Sequence, residues 1–318
     1  MRWPWSSAEA AAQQCLGIEL HLNKVFAVIR SSEGVTDYFC GAESAPDANG
    51  LDAQLDALGH WLKTHHHQEL PTTIVLDSQY CETQLLEAPN VPDEELSNAL
   101  QFRVKDLLGK DPLQVVVQAF RLPSDAYRGR MDMAYTNVVD KSHITQLVTW
   151  SRQQHLQLEV ITLTELSLLN LVASQEPESS IAVVRLDHDA GTVYVMRDGG
   201  LYLTRTFNFG LKDVVTVDDG AAFQVDNSQH IDGLALELQR SMDYFESQLG
   251  MGSVGQIWVL MPDGVELDEA LAQLEQAINI PVRLLSVESA FNRMSNDQML
   301  TAGLASALGG SLAYELAG

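Results

Sequence analysis

Three apolar runs open the folded part of the chain: CLGIEL (15–20), KVFAVIRS (24–31) and VTDYFCGAE (35–43), separated by a polar turn and by Ser-Ser-Glu-Gly. Short apolar runs divided by turn residues predict a three-stranded meander. Leu51, Leu55, Leu58 and Leu62 then recur at spacings of 4, 3 and 4, with Trp61 beside them, which predicts a helix. TTIVLD (72–77) reads as the next strand, and CETQLLEAP as a strand or irregular segment. VPDEELSNALQFRVKDLLGKDP has the punctuation of a helix. Pro92 stands at its start, Asp93, Glu94 and Glu95 fill its first turn, and Gly109 closes it. Its predicted apolar stripe is Leu96, Leu100, Val104 and Leu107. Two strands follow, QVVVQAFRLP (114–123) and MDMAYTNVVD (131–140), then a helix, SHITQLVTWSRQQH, and a strand, LQLEVITL (156–163). The stretch 91–163 has its own periodicities and is expected to be an inserted α+β subdomain. TELSLLNLVA predicts a buried helix, and 174–179 a linker.

The opening pattern then returns. IAVVRLDHDAGTVYVMRDGGLYLTRTFNFG (181–210) is again strand, acid, polar turn, strand, glycine turn, strand. A shift of 168 positions lays Glu19 on Asp187, Val25 on Val193, Phe26 on Tyr194 and Val28 on Met196. A repeat this long predicts duplicated halves rather than a solenoid. After it come an acidic loop, the helix DGLALELQRSMDYFESQL, the strand QIWVLMP (256–262), the helix ELDEALAQLEQAIN and the strand PVRLLSV. A last helix, QMLTAGLASALGGSLAYEL, is rich in small residues and suited to close packing.

Composition narrows the function. Of 318 residues, 46% are apolar, enough for a sizeable core. Lys and Arg number 19 against 43 acids, a formal charge of −24. Phosphate binding by counterion release needs a basic face, and no Lys/Arg cluster is present, so nucleic acid and anionic lipid are disfavoured as partners. A basic peptide would be attracted. Cys15, Cys40 and Cys81 form no CxxC pair and read as free thiols. No run approaches the roughly 20 apolar residues of a spanning helix, and MRWPWSSAEAAAQQ lacks the apolar core of a signal peptide. The expectation is a cytosolic protein with a loosely held tail over 1–13, its Trp3 and Trp5 included. His60 and the tract His65-His66-His67 have metal-binding composition. Neighbouring positions at a helix end point in different directions, which favours a solvated terminus and no metal.

The order of elements resembles the actin-like, ribonuclease-H-like duplicated α/β fold: two lobes, with an α+β block inserted in the first. VPDEELSNALQFRVKDLLGKDPLQVVVQAF, EVITLTELSLLNLVA, GLALELQRSMDYFESQLG, PVRLLSVESAF and TAGLASAL together resemble the PilM family of type IV pilus assembly proteins, and within it the MSHA-pilus branch. The resemblance spans roughly residues 14–316. It implies a first lobe over 14–90, rejoined by 164–179, the block at 91–163, a second lobe over 180–300 and a closing helix over 301–318. It also implies a partner: the short cytoplasmic tail of a PilN-like bitopic inner-membrane protein, and through it the pilus complex. Peripheral placement at the inner membrane follows. A homodimer is left open.

The resemblance further implies an ATP/ADP cleft with Mg²⁺ between the lobes. The first turn, Glu19-Leu20-His21-Leu22-Asn23-Lys24, keeps a carboxylate but puts His21 where a glycine is expected and has no hydroxyl. The second offers Asp187, Asp189, Gly191 and Thr192; the adenosine-side turn, Pro262-Asp263-Gly264, keeps one glycine. Each turn reads as a nucleotide contact or as an ordinary hairpin, and no pair of catalytic residues is evident. The main expectation is a docking scaffold with an eroded site; the alternative is a nucleotide switch or slow ATPase. The tail is expected on the 92–108 helix, at Asp93, Glu94, Ala99, Phe102 and Arg103.

Overall fold

The computed structural model describes residues 14–21, 23–43, 48–175, 179–213, 215–216, 224–225, 229–260, 268–285 and 302–316. One unit occurs twice. In the first, β1 (Cys15–Leu20), β2 (Val25–Ser31) and β3 (Gly34–Cys40) form an antiparallel meander. Then α1 (Ala48–Thr64) leads to β4 (Pro71–Leu76), which pairs in parallel with β1. After β4 the chain builds a block from β5 (Cys81–Glu87), α2 (Asp93–Leu108), β6 (Val115–Arg121) and β7 (Met133–Asp140), with α2 on a three-stranded sheet ordered β5-β7-β6. It returns through α3 (Lys141–Gln153), β8 (Gln157–Leu163) and α4 (Thr164–Ala173).

The second unit repeats the first: β9 (Ile181–Leu186), β10 (Gly191–Arg197) and β11 (Gly200–Phe207) make the meander. A two-stranded ribbon, β12 (Val215–Thr216) and β13 (Gln224–Val225), precedes α5 (Gln229–Asp243), which runs on into a π-helical turn at Tyr244–Gln248. β14 (Gln256–Leu260) pairs in parallel with β9, and α6 (Asp268–Ile278) leads to β15 (Val282–Leu284) at the edge. The closing helix is α7 (Ala302–Leu316). The two main sheets are ordered β3-β2-β1-β4-β8 and β11-β10-β9-β14-β15.

β1, β4 and β9 are buried at every position, and the sequences of β1 and β9 are accordingly near-continuous apolar runs rather than alternating ones, while β4 also buries Thr72 and Thr73. α4 and α7 fill the middle of the molecule. α7 packs on α4, β1, β2 and β4. Leu304, Ala305, Ala307 and Leu308 of α7 and Leu168, Leu171 and Val172 of α4 belong to the same apolar core as the second sheet. Small residues make this possible. A Cβ on Gly17 would overlap the Ala307 carbonyl oxygen, one on Gly309 the Ser167 carbonyl oxygen, and one on Gly303 the Phe26 ring.

Three expectations need correction. α3 and β8, assigned to the inserted block, belong with the first main sheet: β8 pairs in parallel with β4, and the Trp150 indole of α3 donates to the Leu55 carbonyl of α1 at 3.0 Å. The block's own sheet is built from 81–140, beginning with the strand that the sequence left ambiguous. Sheet membership is a long-range property, and nothing in the pattern of β8 reports its neighbour. Second, β9, β10 and β11 begin 166 residues after β1, β2 and β3, not 168. A slip of two keeps every side chain on its face, so alternation cannot distinguish the two registers. The structural counterpart of Glu19 is therefore Arg185, and that of His21 is Asp187. Third, Leu107 is exposed. The packed row of α2 runs Leu96, Leu100, Val104 and Leu108, at strict four-residue spacing.

Candidate functional site

The two lobes meet at the carboxyl ends of β1, β4 and β9, the edge where ligands bind in open α/β sheets. Each of these strands delivers one charge there. Glu19 lies on β1, Asp77 follows β4, and Arg185 lies on β9. Arg185 is 1% exposed and Glu19 fully buried. The guanidinium spreads over three carboxylates: Nη1 to Glu19 Oε1 at 2.9 Å, Nη2 to Asp77 Oδ2 at 3.2 Å and Nε to Asp187 Oδ1 at 3.3 Å. His21 Nε2 stands 2.6 Å from Arg185 Nη2 and 3.2 Å from Glu19 Oε1. The Thr164 hydroxyl, at the start of α4, donates to Glu19 Oε1 at 3.3 Å. The cluster thus joins residues of both lobes and of the central helix.

Burial opposes the charge of Arg185, yet Glu19, Asp187 and Asp77 hold its pKa well above the ordinary value. Burial alone would raise Asp77, but Arg185, and then His21, keep its carboxyl below the ordinary range. Glu165, one residue beyond Thr164, has no such partner in contact. Burial pushes its carboxyl up to about 7.

The ligand atoms of Glu19, His21 and Asp77 lie within 4.8 Å of one another, a spacing that could ligate a cation. The cation there is already a side chain. A Mg²⁺ ion would sit a few ångströms from a buried guanidinium and compete for the same oxygens. One buried oxygen, Glu19 Oε2, has no hydrogen-bond partner, but a single oxygen is not a Mg²⁺ site. Among the described residues, those of this cluster do not fit a Mg²⁺ ion.

The other expected contacts scatter. Lys24 lies over the Phe26 ring, 5.3 Å from its centroid, and Asn23 is exposed. Asp189 is paired to Lys212 at 2.8 Å, and it also meets His188 at 3.1 Å. Gly191 and Thr192 sit in β10; the Thr192 hydroxyl is 3.1 Å from that of Thr206, and a Cβ on Gly191 would strike the Phe207 ring. Gly264 lies outside the described residues. Glu19, His21 and Asp187 are thus brought together, around residues not anticipated: Arg185, Asp77 and Thr164. The signal for Asp77 and Arg185 is a lone charge at or just past the end of an apolar strand, in TTIVLD and IAVVRL, as Glu19 is in CLGIEL; Thr164 carries no such signal.

On the block, Asp93 accepts from Arg121 Nε at 2.8 Å. Arg121 also binds Asp132, the Pro89 carbonyl and the Val91 carbonyl. Arg103 Nη1 donates to the Glu87 carbonyl at 2.8 Å, tying α2 to β5. Asp93 and Arg103 therefore hold the block together. Ala99 is half-buried and Glu94 exposed, and Phe102 is 74% exposed. The loop 123–130 reaches the second lobe. Tyr127 and Tyr244 hydroxyls are 2.8 Å apart and Tyr202 donates to Asp125 at 2.8 Å; from β7, the Tyr135 hydroxyl accepts from the Thr204 amide at 2.9 Å.

No protein-family model matches the sequence, and no curated protein matches it. Solved structures do. A structure titled "PilM-PilN type IV pilus biogenesis complex" aligns over 94% of this chain and 98% of its own, at 16% identity and a TM-score of 0.69. A Bacteroides thetaiotaomicron protein described as having an actin-like ATPase fold aligns over 90% and 97%, at 14% identity and 0.54. The cytoplasmic domain of EpsL, an inner-membrane component of the Vibrio cholerae type II secretion system, aligns over 95% of each chain, at 13% identity and 0.51. The chain has the two-lobed actin-like α/β fold. Among the described residues, no helix is long and apolar enough to cross a membrane.

Proposed function

We propose that this chain is an actin-like docking scaffold of a type IV pilus machine, of the MSHA kind typified by MshI. It holds the cytoplasmic tail of a PilN-like bitopic protein and so works at the inner membrane. Its likeness in fold to the protein of the PilM–PilN complex supports this. The observation that carries it is the set of exposed apolar side chains on the block. Seven large apolar side chains are exposed among the described residues, and three of them, Phe102, Leu107 and Leu113, lie on α2 and the loop after it. Phe102 and Leu113 are each 74% exposed. Exposed aromatic anchors of this sort supply most of the energy of small interfaces. A formal charge of −24 favours a tail carrying Lys or Arg.

In this reading the lobes form a fixed frame. Arg185 takes the part a metal ion would play between them, and the tyrosine contacts of the block brace the far side. Titration with Mg-ATP is expected to give no heat at millimolar concentration.

A synthetic tail of a PilN-like protein should bind with a Kd of tens of micromolar or tighter, about −6 kcal/mol or better, read by fluorescence anisotropy. Phe102→Ala should weaken it about tenfold or more, and Glu94→Lys should weaken it less. Asp93→Lys is a poor probe, because Asp93 is bound to Arg121. No binding, or binding that ignores Phe102→Ala, Leu107→Ala and Leu113→Ala together, would sink the proposal.

A further inference from the structure

The histidine tract does not splay into solvent. The end of α1 is a Schellman turn: the His67 amide donates to the Leu62 carbonyl at 2.8 Å, and the His66 amide to the Lys63 carbonyl at 3.3 Å. His66 takes the left-handed position at φ 60°, where glycine is usual. That reversal puts its two neighbours on one side. His65 Nδ1 and His67 Nε2 each lie 2.8 Å from the same oxygen, Asp37 Oδ2, on β3. The other oxygen, Oδ1, is held by the Tyr38 amide at 2.8 Å, so the carboxylate is aimed. Trp61, one turn before His65, lies against both imidazoles, with ring centroids 5.3 and 5.1 Å apart.

We propose that Asp37, His65 and His67 form a binding site for a first-row divalent transition metal of the Zn²⁺ class. Two imidazole nitrogens and one carboxylate oxygen are a ligand set such ions prefer. The three ligand atoms lie within 4.8 Å of one another. A tetrahedral ion about 2.1 Å from each needs them roughly 3.4 Å apart, so the metal enters by widening two contacts of 2.8 Å. The Tyr38 amide on the far carboxylate oxygen and the Trp61 ring against both imidazoles orient the three ligands. The negative end of the α1 dipole adds to the attraction for a cation. The His65 side chain is 43% exposed, so the fourth position faces solvent and takes water or a donor from another molecule.

The test uses the full chain after treatment with a chelator. Zn²⁺ is titrated by calorimetry, and Co²⁺ by its visible absorption. One equivalent is expected to bind at about ten micromolar or tighter, with the intense Co²⁺ bands of a tetrahedral site. Asp37→Asn, which keeps the side-chain shape, and His67→Ala should each weaken binding at least about tenfold. His66→Gly suits the backbone of the turn and should keep the site intact, as should His60→Ala. Should His67→Ala fail to fold by circular dichroism, Asp37→Asn decides. No heat at about 100 micromolar Zn²⁺ would overturn the proposal. So would binding unaffected by Asp37→Asn, or binding lost in His66→Gly or His60→Ala, which is how an unspecific histidine tract behaves.

Discussion

At the scale of single residues, the molecule turns on Arg185. A buried charge is tolerable only when paired, and removing one partner of a buried pair typically costs about 3–5 kcal/mol. Arg185→Gln strips the cation from Glu19 and Asp77 and should cost that much in urea denaturation. Adding Glu19→Gln should recover part of the loss, so the double variant is more stable than the sum of the singles predicts. Strict additivity would mean that the 2.9 Å contact carries no coupling. Glu165 is the opposite case. Its folded pKa, about 7, lies above its ordinary value of 4.5. Its contribution is present in full below pH 4.5 and is lost as the pH rises through about 7. Glu165→Gln should therefore flatten the fall in stability across that window. At pH 8 it should gain roughly 2–3 kcal/mol relative to the parent; parallel pH profiles of the two proteins would refute this. The charges were visible in the sequence as single polar letters at strand ends. Their pairing was not, because it depends on a two-residue difference in register that alternation cannot detect.

At the scale of elements, the meanders, the parallel strands and the helix stripes were legible because burial writes its period into the sequence. What periodicity leaves out is which element meets which. β8 has the letters of a half-buried strand, and only its ladder to β4 places it on the first sheet. The turn after α1 was misleading for a related reason. The directions of three consecutive histidines depend on one left-handed residue, His66, and sequence alone assigns that conformation to glycine far more readily than to histidine. The small residues of α7 did report their role. Gly17→Ala places a methyl against the Ala307 carbonyl. Because backbone cannot yield as a side chain can, this should cost about 3 kcal/mol or more, against a few tenths for Gly109→Asn beyond α2, where a Cβ meets nothing within 4 Å. Equal melting temperatures for the two variants would contradict the close packing.

At the scale of the whole molecule, the described residues join the duplicated lobes through the central helices, the Arg185 cluster and the hydroxyl contacts that Asp125, Tyr127 and Tyr135 of the block make with the second lobe. A hinge that opens for a ligand would have to break the buried ion pairs and the hydroxyl contacts together. In the scaffold reading the interlobe angle is therefore constant. The distance between labels on α1 and α6 should be unchanged by Mg-ATP and by tail peptide, and a shift of several ångströms would favour the nucleotide-switch alternative.

The packing of α7 also sets an order of events. Residues 302–316 cover β1 and the face of Gly17, yet they are made almost three hundred residues after that strand. A chain leaving the ribosome must hold its first sheet with one face bare until nearly all of the second lobe has been synthesised. Folding and synthesis are out of step in this protein: the lobe that is made first is finished last, and the time a nascent chain spends uncovered is set by the length of the lobe that follows.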